Sequence, residues 1–269
     1  MPFEREDKTL LKSDEKYQDY VKILEEELIP AMGCTEPIAI AYAGAVARET
    51  LGCLPDELDI QVSGNIIKNV KSVIVPNTGG MRGIAAALCA GVIAGDAQAL
   101  LEVIAGVTPA QKEEIKTYMD QVKLKITPAS SGHVFEIDVT VSGRNGNARV
   151  RIIDNHTNII LVEKNGQPIF TKDVCSEEKE TKTDHSVLNI EDIIDFANTV
   201  DVEDVREVLE RQIRYNMAIS EEGLRGNYGA NIGKVLLHTY GDNIKIRARA
   251  KAAAGSDARM NGCELPVVI

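Results

Sequence analysis

Tyr17, Val21, Leu24 and Leu28 recur at the spacing of an amphipathic helix, and Pro30 ends it. The next segment, IPAMGCTEP, reads as a break. Thr35 can then cap a second helix, with Glu36 and Pro37 in its first turn, that runs through IAIAYAGAVARETL to Gly52. From Glu57 the chain changes to LDIQVSGNIIKNVKSVIVP, whose Ile and Val content predicts one or two strands broken at Gly64-Asn65. A Gly-rich turn, PNTGGMRG, opens onto helices around 84–94 and 97–105. A third starts at Thr108-Pro109, where Gln111 completes a capping box.

Beyond Tyr118 the period drops to two. Val122, Leu124 and Ile126 alternate with lysines, and Phe135, Ile137, Val139 and Val141 alternate with Glu136, Asp138 and Thr140, which predicts half-buried antiparallel strands. Further strands follow over 148–154 and 158–163, and Asn165-Gly166 marks a hairpin before Pro168. Residues 171–187 are charged and aperiodic, as expected of a linker. Helices return at 190–197 and 202–219 and, after the break RGNYGANIGK, at 242–254. The fold expected is α+β, with helical layers and a small antiparallel sheet module, incomplete at the C-terminus. Its parts are an N-terminal helical region with a strand pair and the Cys34 loop (1–118), the sheet module (119–172) and a second helical region (188–269). The apolar ending NGCELPVVI predicts either a terminal strand tucked into a sheet or a polypeptide that continues.

Composition narrows the function classes. With 41 acidic against 30 basic residues and a net charge of -11, the chain is a poor partner for nucleic acid. The apolar stretches 84–93 and 97–107 are separated by Gly95-Asp96, and each is too short to cross a bilayer, so core helices are expected. There is no Trp, and Ala and Gly crowd these stretches, so the helices can approach closely. The N-terminus has neither a secretory nor a transit pattern, so a cytoplasmic protein is expected. The five cysteines form no CxxC pair, which excludes zinc ribbons and ferredoxin-type runs and leaves open ligands converging from distant segments.

Four groups of residues can carry chemistry. Met32-Gly33-Cys34-Thr35-Glu36-Pro37 presents a thiol at a helix start, where unpaired N–H groups favour a thiolate; a buried or capping cysteine fits the same residues. Asn77, Thr78, Gly79, Gly80 and Arg82 form a Gly-rich turn before a helix that can hold a carboxylate, or else a capped turn with a surface arginine. Ser131 and His133 put a small donor beside an imidazole able to bind or deprotonate a substrate, although a turn histidine can equally be structural. Ser256, Asp257, Arg259 and Asn261 crowd an Ala-rich helix, where an Asp-Arg pair can be structural or catalytic. Lys68, Lys71, Lys234 and Lys251 lack a pyridoxal phosphate setting, and PNTGGMRG lacks the GKS or GKT ending of a P-loop. His156, His185 and His238 show no metal-ligand spacing.

Taken together, the blocks IPAMGCTEPIAIAYAGA, PNTGGMRGIAAALCAG, SSGHVFEIDV and KAAAGSDARMNGCELPVVI resemble the L-cysteine desulfidases and the uncharacterised proteins grouped with them, which are related to the alpha chain of iron-sulfur L-serine dehydratases. The resemblance runs from about Tyr17 to the last residue. It implies a lyase that eliminates sulfide or water, plus ammonia, from L-cysteine or L-serine to give pyruvate. It further implies a 4Fe-4S cluster held by three cysteines, with Cys34 the first ligand and the others beyond Ile269. Three ligands leave one iron open as a Lewis acid. Cys53, Cys89 and Cys175 then read as packing or surface residues, and Cys263 is not marked as a ligand. The partners expected are a small amino-acid substrate, the missing C-terminal region or a companion chain, and optionally a second copy, with no nucleic acid and no membrane. The isolated chain is expected to lack the cluster. The alternative is an inactive fragment or a cluster-free binding or assembly subunit.

Overall fold

The computed structural model describes residues 10–172 and 183–268. Helix α1 (Glu15–Glu27) buries Tyr17, Tyr20 and Ile23 and stops before Pro30, as its spacing predicts. The expected break contains a short strand, β1 (Pro30–Met32), and α2 (Thr35–Leu51) follows with Cys34, one residue earlier than expected, at the N-cap. Helix α2 is buried on nearly every side, so it has no polar stripe and forms the axis of the main core.

Strand β2 (Glu57–Val62) matches the Ile/Val-rich run, but the second part of that run is a helix, α3 (Gly64–Val70). Ile66 and Val70 lie four apart and both are buried, so the helical period overrides the local β propensity there. Helix α4 (Gly83–Ala94) packs on α2 at very short range. A Cβ on Gly91 would sit 1.9 Å from the Ala41 carbonyl oxygen, and one on Gly44 2.9 Å from Leu88 Cδ1. The helix expected at 97–105 is instead a 3-10 segment, Ala97–Glu102, kinked at Leu100 (φ 47°). Helix α5 (Pro109–Gln121) starts with the expected capping box between Thr108 and Gln111.

Five more strands follow: β3 (Lys123–Pro128), β4 (Glu136–Gly143), β5 (Gly146–Ile153), β6 (Ile159–Lys164) and β7 (Gln167–Thr171). The sheet order is β3-β2-β4-β5-β6-β7. The sheet therefore takes its second strand from before residue 118, and β3 pairs parallel to β2, not antiparallel as its alternation suggested. The helices between β2 and β3 form the crossover that a parallel pair requires. Ile60, Val139 and Val150 are cross-strand neighbours on the face covered by α2, and all three are fully buried. On the opposite face Arg149 holds Asp138 through two nitrogens (2.9 and 2.6 Å), and Arg151 Nε reaches Glu136 at 2.8 Å.

Most of the expected linker, residues 173–182, and Cys175 with it, lies outside the described residues. Helices α6 (Ile190–Thr199) and α7 (Val202–Arg225) follow, with Phe196 edge-on to Tyr17 and Tyr20 of α1. The Gly-rich segment read as a break contains the start of another helix, α8 (Ile232–Tyr240), and α9 (Ile244–Met260) is longer than its apolar pattern suggested. The apolar ending forms β8 (Pro266–Val268), antiparallel to β1. Its backbone is held by Asn216 of α7, which donates to the Val268 carbonyl (2.9 Å) and accepts from the Val268 amide (3.0 Å). The molecule is α+β. Among the described residues no helix is long and apolar enough to cross a membrane.

Candidate active site

The start of α2 is fixed by close backbone packing. Gly33 has φ 61°, and a Cβ there would lie 2.5 Å from Pro76 Cγ and 3.4 Å from the Arg259 carbonyl oxygen, so only glycine fits. This places Cys34, 1% exposed, between the PNTGGMRG turn and the end of α9. Its thiol donates to Glu36 Oε2 (2.9 Å), while Asn69 Nδ2 of α3 donates to Glu36 Oε1 (3.2 Å).

Of the two readings of this cysteine, the electrostatics favour the buried, protonated thiol. Burial, then the hydrogen bond to the Glu36 carboxylate and its charge, push the Cys34 thiol up to about 12, against the smaller opposing pull of Arg259 and the Glu36 backbone. Desolvation here outweighs the favourable field of the helix start, so the free thiol is protonated at neutral pH. Burial alone would also raise the Glu36 carboxyl. Hydrogen bonds from Cys34, its own amide and Asn69, with the nearby His156, hold it below its ordinary value instead.

His156 lies in the turn between β5 and β6, its ring edge-on to Phe135 with centroids 4.7 Å apart. Burial pushes its pKa down; Glu36 acts against this and Arg259 with it, so the imidazole is neutral at pH 7. Arg259, in the last turn of α9, is near enough for its charge to act on both Cys34 and His156, and its buried Nε has no hydrogen-bond partner. Cys34, Glu36, Asn69, His156 and Arg259 thus converge from α2, α3, the β5–β6 turn and α9. The set combines a thiol, a carboxylate, a neutral imidazole and a guanidinium whose buried Nε is unpaired.

Asn77 and Thr78 have their side chains engaged by the chain itself. Asn77 Nδ2 donates to the Ile104 (3.0 Å) and Ala105 (2.9 Å) carbonyls, and Thr78 Oγ1 to that of Val75 (2.8 Å). Gly79 and Gly80 are exposed at the tip of the turn, on a groove of about 400 Å³ shared with Pro109 and Lys112 of α5. Arg82 is also exposed, and its Nη1 donates to the Ser72 carbonyl (2.6 Å). The base of this turn, not its tip, borders Cys34, through Pro76 against Gly33 and the bridge between Ile74 and Asn261.

Ser131 donates to the buried Glu136 carboxylate, and the His133 amide donates to Ser131 Oγ (3.3 Å). His133 Nδ1 lies 3.1 Å from Asp154 Oδ1. Phe135, two residues after His133, is the residue of this segment that meets the cluster, through its ring contact with His156. Of the α9 block, Ser256 is exposed, Asn261 Nδ2 donates to the Asp257 carbonyl (2.8 Å), and Asp257 Oδ2 accepts from the Ile232 amide at the start of α8 (2.9 Å).

Sequence reasoning missed Glu36, Asn69 and His156 as site residues. Glu36 could have been found, since it stands in the same helical turn as the thiol. His156 has a weaker signal, the polar run DNHTN between two strands, and Asn69 has none while its segment reads as a strand. Cys34, Cys53, Cys89 and Cys263 are all free thiols, with Cys89 raised to about 12 by burial inside α4. Among the described residues no group of three or more His, Cys, Asp and Glu side chains could hold a metal ion.

The fold is α+β, and its buried Cys34 thiol lies among a carboxylate, an imidazole and a guanidinium. The family model of the serine dehydratase alpha chain matches residues 98–269, and this chain belongs to that family. It is 53% identical over 258 residues to a UPF0597 protein of Desulfitobacterium hafniense (strain Y51), covering 96% of this chain and 60% of the relative. A UPF0597 protein of Lachnoclostridium phytofermentans is 49% identical over 253 residues, covering 94% and 60%. One from Treponema denticola is 46% identical over 265 residues, again covering 94% and 60%. The chain thus spans about 60% of the length of these relatives. No solved structure matches it.

Proposed function

We propose that this chain is the N-terminal part of a cytoplasmic iron-sulfur lyase that eliminates sulfide or water, together with ammonia, from L-cysteine or L-serine to give pyruvate. The observation that supports this is the buried Cys34 thiol with Glu36, His156 and Arg259 gathered around it, in a member of the serine dehydratase alpha chain family. Cys34 would hold a 4Fe-4S cluster together with thiolates from the remainder of the polypeptide. When bound, such a cluster supplies a Lewis-acidic iron for the leaving group.

The chain's own residues divide the remaining work. Arg259 binds the substrate carboxylate with the guanidinium donor that the fold leaves unpartnered. His156, neutral and half-buried, accepts the α proton, and Glu36 stabilises the imidazolium that results. Asn69 orients Glu36. The Ser131-His133 loop is held by Glu136 and Asp154 and has a positioning role in this reading.

Anaerobic reconstitution of the longer polypeptide tests the reading. Wild type should turn brown, carry iron and sulfide, and release pyruvate and ammonia from cysteine or serine, whereas Cys34→Ser should lose the iron. Normal iron content in Cys34→Ser would remove the assignment. The 269-residue chain, in which Cys34 is the one ligand this reading assigns, should remain colourless and inactive on its own.

A further inference from the structure

We infer that the exposed side of the α8–α9 hairpin is the docking surface for the portion of the family polypeptide that this chain does not contain. The inference rests on reading the chain as one part of a longer protein.

Packing in this region is inverted relative to the main core. Around α2 and α4, large apolar side chains such as Ile38, Ile40 and Leu88 are fully buried. In the hairpin the buried positions are small: Ala250, Ala254 and Ala258 of α9 and Gly233 of α8. A Cβ on Gly223 would lie 2.1 Å from the Ala254 carbonyl oxygen, and one on Gly233 2.4 Å from that of Ala250, so the three helices meet backbone to backbone. Four large apolar residues of α8 and the start of α9 are exposed. Ile232 is 45%, Val235 54%, Tyr240 64% and Ile244 86% exposed. Four exposed large apolar residues within thirteen positions, carried on a tightly built support, mark a surface to be covered.

Two observations identify the occupant. The hairpin lies wholly within the segment matched by the family model, in a chain spanning about 60% of its relatives' length, so a large part of the family polypeptide remains to be placed. The charge at the rim is also distinctive. In a chain of net charge -11, the first half of α9 exposes Lys245 and Arg249, while Arg247 is paired with Asp242 at 2.5 Å. An apolar partner surface with an acidic edge fits this rim. A second copy docking hairpin to hairpin would oppose like charges.

The test compares two lengths of the protein. Val235→Glu and Ile244→Glu are made in the 269-residue chain and in the same chain extended by the remaining region of the Desulfitobacterium hafniense relative. In the short chain both side chains are in water, and melting should be unchanged. In the long chain each substitution should lower the melting temperature, and Lys245→Glu with Arg249→Glu should do so in a salt-dependent way. Ile169→Glu, at a site 64% exposed on β7, is the control and should be neutral in both. The aligned substitutions in the intact relative provide the same readout in a natural polypeptide. Equal effects in both lengths, no effect in either, or a dimer of the short chain that the substitutions dissolve would each overturn the proposal. Melting is read without cluster or activity, so a long chain that behaves as expected but makes no pyruvate would count against the lyase reading alone.

Discussion

The Cys34 thiol donates a 2.9 Å hydrogen bond to the carboxylate of Glu36, two residues further along the same helix. The helix start would stabilise a thiolate, yet burial and this carboxylate keep the sulfur protonated, so any metal that binds there must displace a proton. Removing the Glu36 charge should lower the thiol pKa. Glu36→Gln is therefore expected to bring the ultraviolet thiolate signal of Cys34, read as the difference from the same protein carrying Cys34→Ser, to lower pH, and an unchanged onset would contradict the electrostatic account. The same shift has a stability consequence. The folded-state pKa of about 12 lies above the ordinary 9.0, so the contribution is complete below pH 9 and is lost as pH rises from 9 towards 12. Cys89 behaves alike, and Cys89→Ala should flatten the alkaline loss of melting temperature relative to wild type.

Arg259 and Arg82 make opposite predictions. Arg259 has an unpartnered buried Nε beside Cys34, whereas Arg82 is exposed and bonded to the Ser72 carbonyl. In active longer protein, Arg259→Ala should reduce kcat/KM by about tenfold to a hundredfold, the equivalent of about 1.5 to 3 kcal/mol for a lost charge-assisted contact. Arg82→Ala should leave kinetics nearly unchanged. The reverse pattern would return the substrate carboxylate to the PNTGGMRG turn.

His156 is expected to act on the proton and His133 on loop position. His156→Asn should lower kcat by about a hundredfold or more with little effect on KM. His133→Asn, which retains a hydrogen bond to Asp154, should change kcat far less. Steady-state assays of pyruvate release distinguish the two histidines.

Gly91 is the stability counterpart of these site residues. Its absent Cβ would lie 1.9 Å from the Ala41 carbonyl oxygen, backbone against backbone, so Gly91→Ala must separate α2 from α4. A loss of at least about 1 to 3 kcal/mol is expected, measured by urea unfolding. An alanine tolerated without loss would show that the two helices can slide apart freely.

The helices and strands with strong periodicity were legible in the sequence: α1, α2, α5, α7 and the alternating strands β4 to β6. The misreadings have specific causes. NIIKNV has strand-like composition but helix-like spacing, so tertiary burial of Ile66 and Val70 decided its form. The parallel partner of β3 depends on a crossover through three helices, which alternation within one strand does not encode. In the site, Cys34 was recognisable from its motif, whereas Asn69 and His156 join it only through folding. The sign of the thiol shift was likewise hidden, because burial is a property of the packed molecule.

The ribbon of β1 and β8 joins Pro30–Met32 to Pro266–Val268, and Cys34 and Arg259 flank its two strands. A site stitched together from the two ends of the described chain cannot form while the ribosome is still making the middle. The α2–sheet body can collapse first, but the Arg259 side of the Cys34 pocket arrives only with α9, so the pocket closes more than two hundred residues after its thiol has been made.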